Sequence, residues 1–167
     1  MSSFLARAVS GAALAAAIAG GAAGAQQPAI PTPESVFGFQ VGADFHLIDY
    51  DESIAYFRKL AAASDRIRLV DVGVTATGHP WTLAIISSPE NLAKLDHYRD
   101  IAQRLAHPEE LSAADAHILS REGKAFVDIS GGLHATEVAG AQHTIQLAYD
   151  LLAHPDDPEF SEILHND

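Results

Sequence analysis

Two apolar, β-branched-rich runs, Ile67 to Val74 and Trp81 to Ser87, are separated only by TATGHP. A parallel neighbour needs a crossover of about a dozen residues or more, so this spacing confines the two runs to an antiparallel hairpin closed by a glycine and proline turn. Helices on either side are then expected to cover the sheet that the hairpin opens.

The helices announce themselves by their caps. Asp49 with Glu52 three residues on reads as a capping box, after which Ile54, Phe57 and Leu60 or Ala61 recur as one helical face ending near Ser64. Ser88 and Pro89 start a second helix, whose Leu92, Leu95, Tyr98, Ile101 and Leu105 form an apolar stripe to about Ala106, with Lys94, Arg99 and Arg104 on a solvated face. Ser112 with Asp115 starts a third, closed by Glu122 and Gly123. Before all of these, residues 26–35 carry Pro28, Pro31 and Pro33 and read as an extended linker. Val36 to Ile48 is irregular and is expected to pack its phenylalanines on the domain.

Further on, KAFVDISGGLHATEVAG (124–140) places a short apolar run, a glycine pair and a helix start in succession. Ala125 to Ser130 reads as a third, buried or half-buried strand that Gly131 and Gly132 end. Val138, Ala141, Ile145, Ala148 and Leu152 then recur at helical spacing to about Ala153, with Gln142, His143 and Gln146 on a polar side. Pro155 to Pro158 break that helix, and Phe160 to Leu164 begin a last short turn. The resulting fold class is α/β, a mixed sheet with an opening antiparallel hairpin flanked by helices.

His134 falls at the expected strand exit and Glu137 in the first helical turn, where open α/β sheets gather ligands. An imidazole nitrogen and a carboxylate held that close can fill two corners of a zinc site. The three-residue spacing alone decides nothing, because His46, His97, His107 and His154 also have an acid three residues later. Chance placement in this composition gives roughly one such case. His107 and His154 precede prolines at turns or helix starts, His97 and Asp100 lie one turn apart on a solvated face, and His46 sits in the irregular segment as a structural residue. On pattern alone the His134 and Glu137 pair reads equally as two ligands or as a helix start carrying a stabilising acid.

GGLHATE after the strand-like KAFVDIS, together with the upstream VDVGVTATGHPWTLAIISSPEN, resembles the amino-terminal part of a zinc carboxypeptidase of the M14 type. The resemblance spans residues 36–167 and implies that they form the amino-terminal part of a catalytic domain, with His134 and Glu137 as the first two ligands of one Zn2+ ion. The family's further histidine ligand, its substrate-binding arginine and its general-base glutamate are all expected beyond Asp167, so no catalytic residue is assigned within the chain, and the fragment alone is expected to be inactive. His79 stands where the family usually has a basic residue between the turn glycine and proline. The implied activity is removal of residues from peptide or protein carboxy-termini by a metal-activated water. A related zinc amidohydrolase acting on N-acyl amino acids, or a non-catalytic binding protein of the same fold, are the rival readings.

Composition narrows the partners. The net charge of −12 leaves no basic stripe for a nucleic acid, and with no cysteine any metal must be held by His, Asp or Glu. At the amino terminus, Arg7, the Ala-rich run Ala8 to Gly20 and the small residues Ala23 and Ala25 before Gln26 read as a signal peptide over residues 1–25. That run is short and weakly apolar, so export to the periplasm or the extracellular space, without stable membrane insertion, is the expectation.

Overall fold

The computed structural model describes residues 29–134 and 136–167. The expected signal peptide and the first residues of the expected linker lie outside that range. In order, the chain forms α1 (Pro33–Phe37), α2 (Tyr50–Ala63), β1 (Ile67–Val74), β2 (Pro80–Ile86), α3 (Pro89–Ala93), α4 (Leu95–Ala106), α5 (Ala113–Glu122), α6 (Val138–Ala153) and α7 (Pro158–Asn166). A 3-10 turn, Pro108–Glu110, joins α4 to α5.

The hairpin forms as its spacing requires. β1 and β2 pair antiparallel from Ile67 opposite Ile86 to Val74 opposite Pro80, with an irregularity between Asp71 and Gly73. The turn closes through Thr75 N–H donating to the His79 carbonyl at 2.8 Å, and Gly78 supplies the left-handed φ of 87° that it needs. One face of the hairpin, through Ile67, Leu69, Ala84 and Ile86, meets the core, while Val72, Val74, Trp81 and Leu83 face outward.

The core sits where α2 and α6 cover that inner face. Tyr56, Leu60 and Ala63 are the buried residues of α2, and Tyr56 and Leu60 pack with Ile48 and with Ile145, Ala148 and Leu152 of α6. The capping box at the start of α2 is complete: Glu52 N–H donates to the Asp49 carboxylate at 2.8 Å, and Asp49 N–H donates to Glu52 at 2.9 Å. Burial pushes the Tyr56 phenol pKa well above its usual value, and the nearby Tyr149 and Asp150 add to the shift. The hydroxyl of Tyr56 donates to the Pro31 carbonyl at 2.8 Å, and the Phe37 ring lies tilted against the Tyr56 ring with centroids 5.2 Å apart.

Four of the expected elements need correction. The proline-rich stretch is not extended to its end, because Thr32 caps α1 and Pro33 is buried against the domain. The helix expected from Ser88 to Ala106 is two helices broken at Lys94, where the Leu92 carbonyl accepts from the Arg68 guanidinium on β1 at 3.2 Å. The terminal turn is a full helix, α7, whose last carbonyls are gathered by Ser87, Ser88 and Asn91.

The fourth correction concerns the site directly. Ala125 to Ser130 forms no strand, so among the described residues the sheet has two strands and is purely antiparallel. Phe126, Val127 and Ile129 are 56%, 67% and 54% exposed. The run has strand composition, but no strand edge lies close to it along the chain, and backbone pairing needs an edge as well as a propensity.

Candidate metal centre

The turn between Ser130 and α6 is shaped by three glycines. Gly132 takes a left-handed φ of 77°, and the backbone of Gly131 lies against Gly140 in the first turns of α6. A Cβ at Gly131 would stand 2.0 Å from the Gly140 carbonyl oxygen, so no other residue fits there without moving the turn. The chain then closes on itself, with Glu137 N–H donating to the His134 carbonyl at 3.0 Å and Gly140 N–H to the Glu137 carbonyl at 3.1 Å. Glu137 is the N-cap residue of α6 rather than a member of its first turn, and its side chain caps no backbone amide.

That carboxylate turns to the histidine instead. His134 Nδ1 lies 2.7 Å from Glu137 Oε1, both side chains being more than half exposed. Two donors bound to one tetrahedral zinc at the usual bond lengths stand about 3.3 Å apart, so a separation about 0.6 Å wider than the present contact would admit the ion between them. The donor set also suits zinc, which takes imidazole nitrogen and carboxylate oxygen readily. Among the described residues no group of three or more His, Asp or Glu side chains could hold a metal, and this pair by itself does not complete a site.

The pair opens onto a cleft of about 220 Å3 between α6 and the Leu47–Ile48 segment that precedes α2. Gln142 forms part of its lining and does not lie on a polar surface of α6, as the periodicity suggested: it is buried, 6% exposed. Its amide is spent on one residue 94 positions away, accepting from Ile48 N–H at 3.0 Å and donating to the Ile48 carbonyl at 2.9 Å. A polar side chain can be buried at little cost when both ends are satisfied in this way. No local signal in the sequence marks that pairing.

Six of the other histidines have surroundings of their own. His97 Nε2 contacts Glu122 on α5 at 3.0 Å rather than Asp100, and His143 donates to the Gly140 carbonyl at 2.7 Å. His46 packs on Phe39 with ring centroids 4.5 Å apart, His107 ends α4, His154 lies between Tyr149 and Phe160, and His165 Nδ1 contacts the Ser161 carbonyl. Among the described residues the side chain that His134 contacts is that of Glu137.

A family profile described as zinc carboxypeptidase, Peptidase_M14, matches residues 53–166, more than half of the chain. The chain belongs to the M14 zinc carboxypeptidase family. No curated protein and no solved structure matches it. Membership brings zinc dependence and hydrolysis of peptide substrates as family properties. The α/β architecture, with its opening two-stranded hairpin and flanking helices, agrees with part of an M14 domain. Among the described residues no helix is long and apolar enough to cross a membrane.

Proposed function

We propose that this chain is part of an exported zinc metallocarboxypeptidase, in which His134 and Glu137 are two ligands of a single zinc ion. The observation that carries the reading is the 2.7 Å approach of His134 Nδ1 to Glu137 Oε1 in a chain of the M14 family. Zinc bound there supplies Lewis acidity toward a peptide carbonyl and toward water. The chain's own residues hold the donors in place. The glycine-packed turn sets His134 over the start of α6, Glu137 presents its carboxylate from the N-cap position, and the cleft beside them leaves room for substrate. The remaining ligand, the carboxylate-binding arginine and the general base belong to residues beyond Asp167 in this reading, and the substrate is a peptide or protein carboxy-terminus. Residues 1–25 direct export and are removed, so the mature protein begins at Gln26.

Metal analysis of the protein expressed from its complete reading frame tests the assignment. His134→Ala and Glu137→Ala should each lose the zinc that the parent retains, whereas His107→Ala should keep it. Zinc undiminished in the His134 variant defeats the proposal. Amino-terminal sequencing of the exported protein tests the processing site, with a start other than Gln26 counting against it.

A further inference from the structure

α6 carries a glycine in its first turn that helix stability alone would not choose. Gly140 follows Val138 and Ala139, its backbone is helical, and no left-handed φ calls for glycine there. Glycine weakens a helix relative to alanine, because its backbone gives up the most freedom on folding. Crowding supplies the reason for it. A Cβ at Gly140 would stand 2.8 Å from the Gly132 amide nitrogen and 3.4 Å from the Gly132 Cα, and backbone atoms cannot swing aside as the end of a side chain can.

The approach is made from both sides. A Cβ at Gly131 would run into the Gly140 carbonyl and come within 2.7 Å of Thr144 Cγ2, and one at Gly132 would stand 3.1 Å from Ala141 Cβ. The chain leaving Ser130 thus crosses α6 backbone to backbone at Gly140. His134 and Glu137 both lie in the short loop between Gly132 and Gly140 that this crossing closes. Within the loop, the bonds from Glu137 N–H to the His134 carbonyl and from Gly140 N–H to the Glu137 carbonyl each span a single turn, whereas the glycine crossing ties the loop's first residue to its last. Gly140→Ala would have to open the 2.8 Å approach to the 3.4 Å of an ordinary contact, a shift of about 0.6 Å where zinc–donor distances hold to within about 0.2 Å.

We infer that Gly140 is a positioning residue for the candidate metal pair: its bare Cα lets the backbone of Gly131 and Gly132 seat on α6, and that seat sets the separation of His134 from Glu137. The purpose of the seat rests on the zinc reading. The seat itself does not, and the two are tested apart.

Substitutions at two adjacent residues of α6 set helix stability against metal binding in the protein from its complete reading frame. Gly140→Ala improves the helix and disturbs the seat, whereas Ala139→Gly, at an exposed position, weakens the helix and leaves the seat alone. Zinc affinity, measured by competition with a chromophoric chelator, should fall about tenfold or more in Gly140→Ala, the order lost when a ligand's support is removed, and stay at the parent value in Ala139→Gly. The urea midpoint of the metal-free protein should fall in Ala139→Gly, so that stability and zinc affinity part company. An affinity unchanged by Gly140→Ala, or one that follows helix stability across the pair, overturns the inference.

A second readout needs no metal. In the metal-free protein the nitrogen resonance of His134 Nδ1 reports its contact with the Glu137 carboxylate. It should move in Gly140→Ala toward the position it takes in Glu137→Ala, and stay at the parent position in Ala139→Gly. A resonance unmoved by Gly140→Ala overturns the inference whatever the zinc result. A parent protein that takes up no zinc while this resonance moves as expected would sink the metallopeptidase reading and leave Gly140 as the residue that positions the pair.

Discussion

The hairpin of β1 and β2 and the run Ala125 to Ser130 are written in the same residues and meet opposite fates. IRLVDVGV pairs with PWTLAII and seats Ile67 in the core. FVDI, with the same alternation of apolar and polar residues, lies unpaired with its apolar side chains in water. β1 has its partner across a five-residue turn, so little chain entropy is lost in closing the pair. The later run has α5 before it and the glycine turn after it, and any edge it could join is remote along the chain. Strand composition thus expresses a capacity that a neighbouring edge must complete.

Substitutions separate the two regions most strongly. Ile67→Ala should cost about 2–4 kcal/mol by urea denaturation, because it empties a packed position under the hairpin. Ile129→Ala should stay within about 0.5 kcal/mol, as surface changes do. Equal costs would show that the later run is packed after all. Amide exchange gives the same contrast without mutation: the paired amides of β1 and β2 should be protected, and those of residues 125–130 should exchange near unfolded-chain rates.

Next in size is Gln142→Leu, which keeps most of the volume but strips Ile48 of both partners. We expect a loss of about 1–3 kcal/mol, measured by denaturation, since buried Ile48 N–H and C=O groups are left unpaired. This change loosens the wall beside the candidate metal pair while leaving the hairpin register intact, and a hairpin whose amides lost protection equally would show that the two regions are not separable.

Alkaline pH probes the core under the hairpin. The Tyr56 phenol keeps its proton longer in the folded chain than the ordinary tyrosine value of 10.0 allows. Below pH 10 both states are protonated and the group has no effect. As pH rises past 10.0 the unfolded chain releases the proton first. Stability should then fall by about 1.4 kcal/mol per pH unit until the folded phenol also ionises. In Tyr56→Phe this part of the slope should vanish from a denaturation series, and an unchanged slope would assign it elsewhere. The smallest effect is expected at Thr82, whose hydroxyl donates to Asp71 across the hairpin at 2.9 Å on an exposed face. Thr82→Val should change stability by no more than about 0.5 kcal/mol.

Much of the candidate site was readable in the chain before its structure. The glycine pair marked a turn with special backbone needs, and His134 and Glu137, singled out by their place after it, do meet, although Glu137 is the N-cap and the helix proper starts at Val138. The burial of Gln142 was not readable, because its partner lies 94 residues away and the local periodicity of α6 set it among polar neighbours. Nor was the break at Lys94, where the Arg68 side chain of another element takes the Leu92 carbonyl.

The sequence by itself determined the features whose partners lie within a few residues: the α2 capping box, the hairpin and its turn, the helix starts at Ser88 and Ser112, and the His134 and Glu137 spacing. Tertiary structure alone decided which apolar run becomes a strand, which glutamine is buried, and that Leu47 and Ile48 wall the cleft beside the candidate ligands. The division has one physical cause. Hydrogen bonds and van der Waals contacts act over a few ångströms, so a short segment settles its own caps and turns, while burial and strand pairing wait on surfaces that only the folded chain brings together.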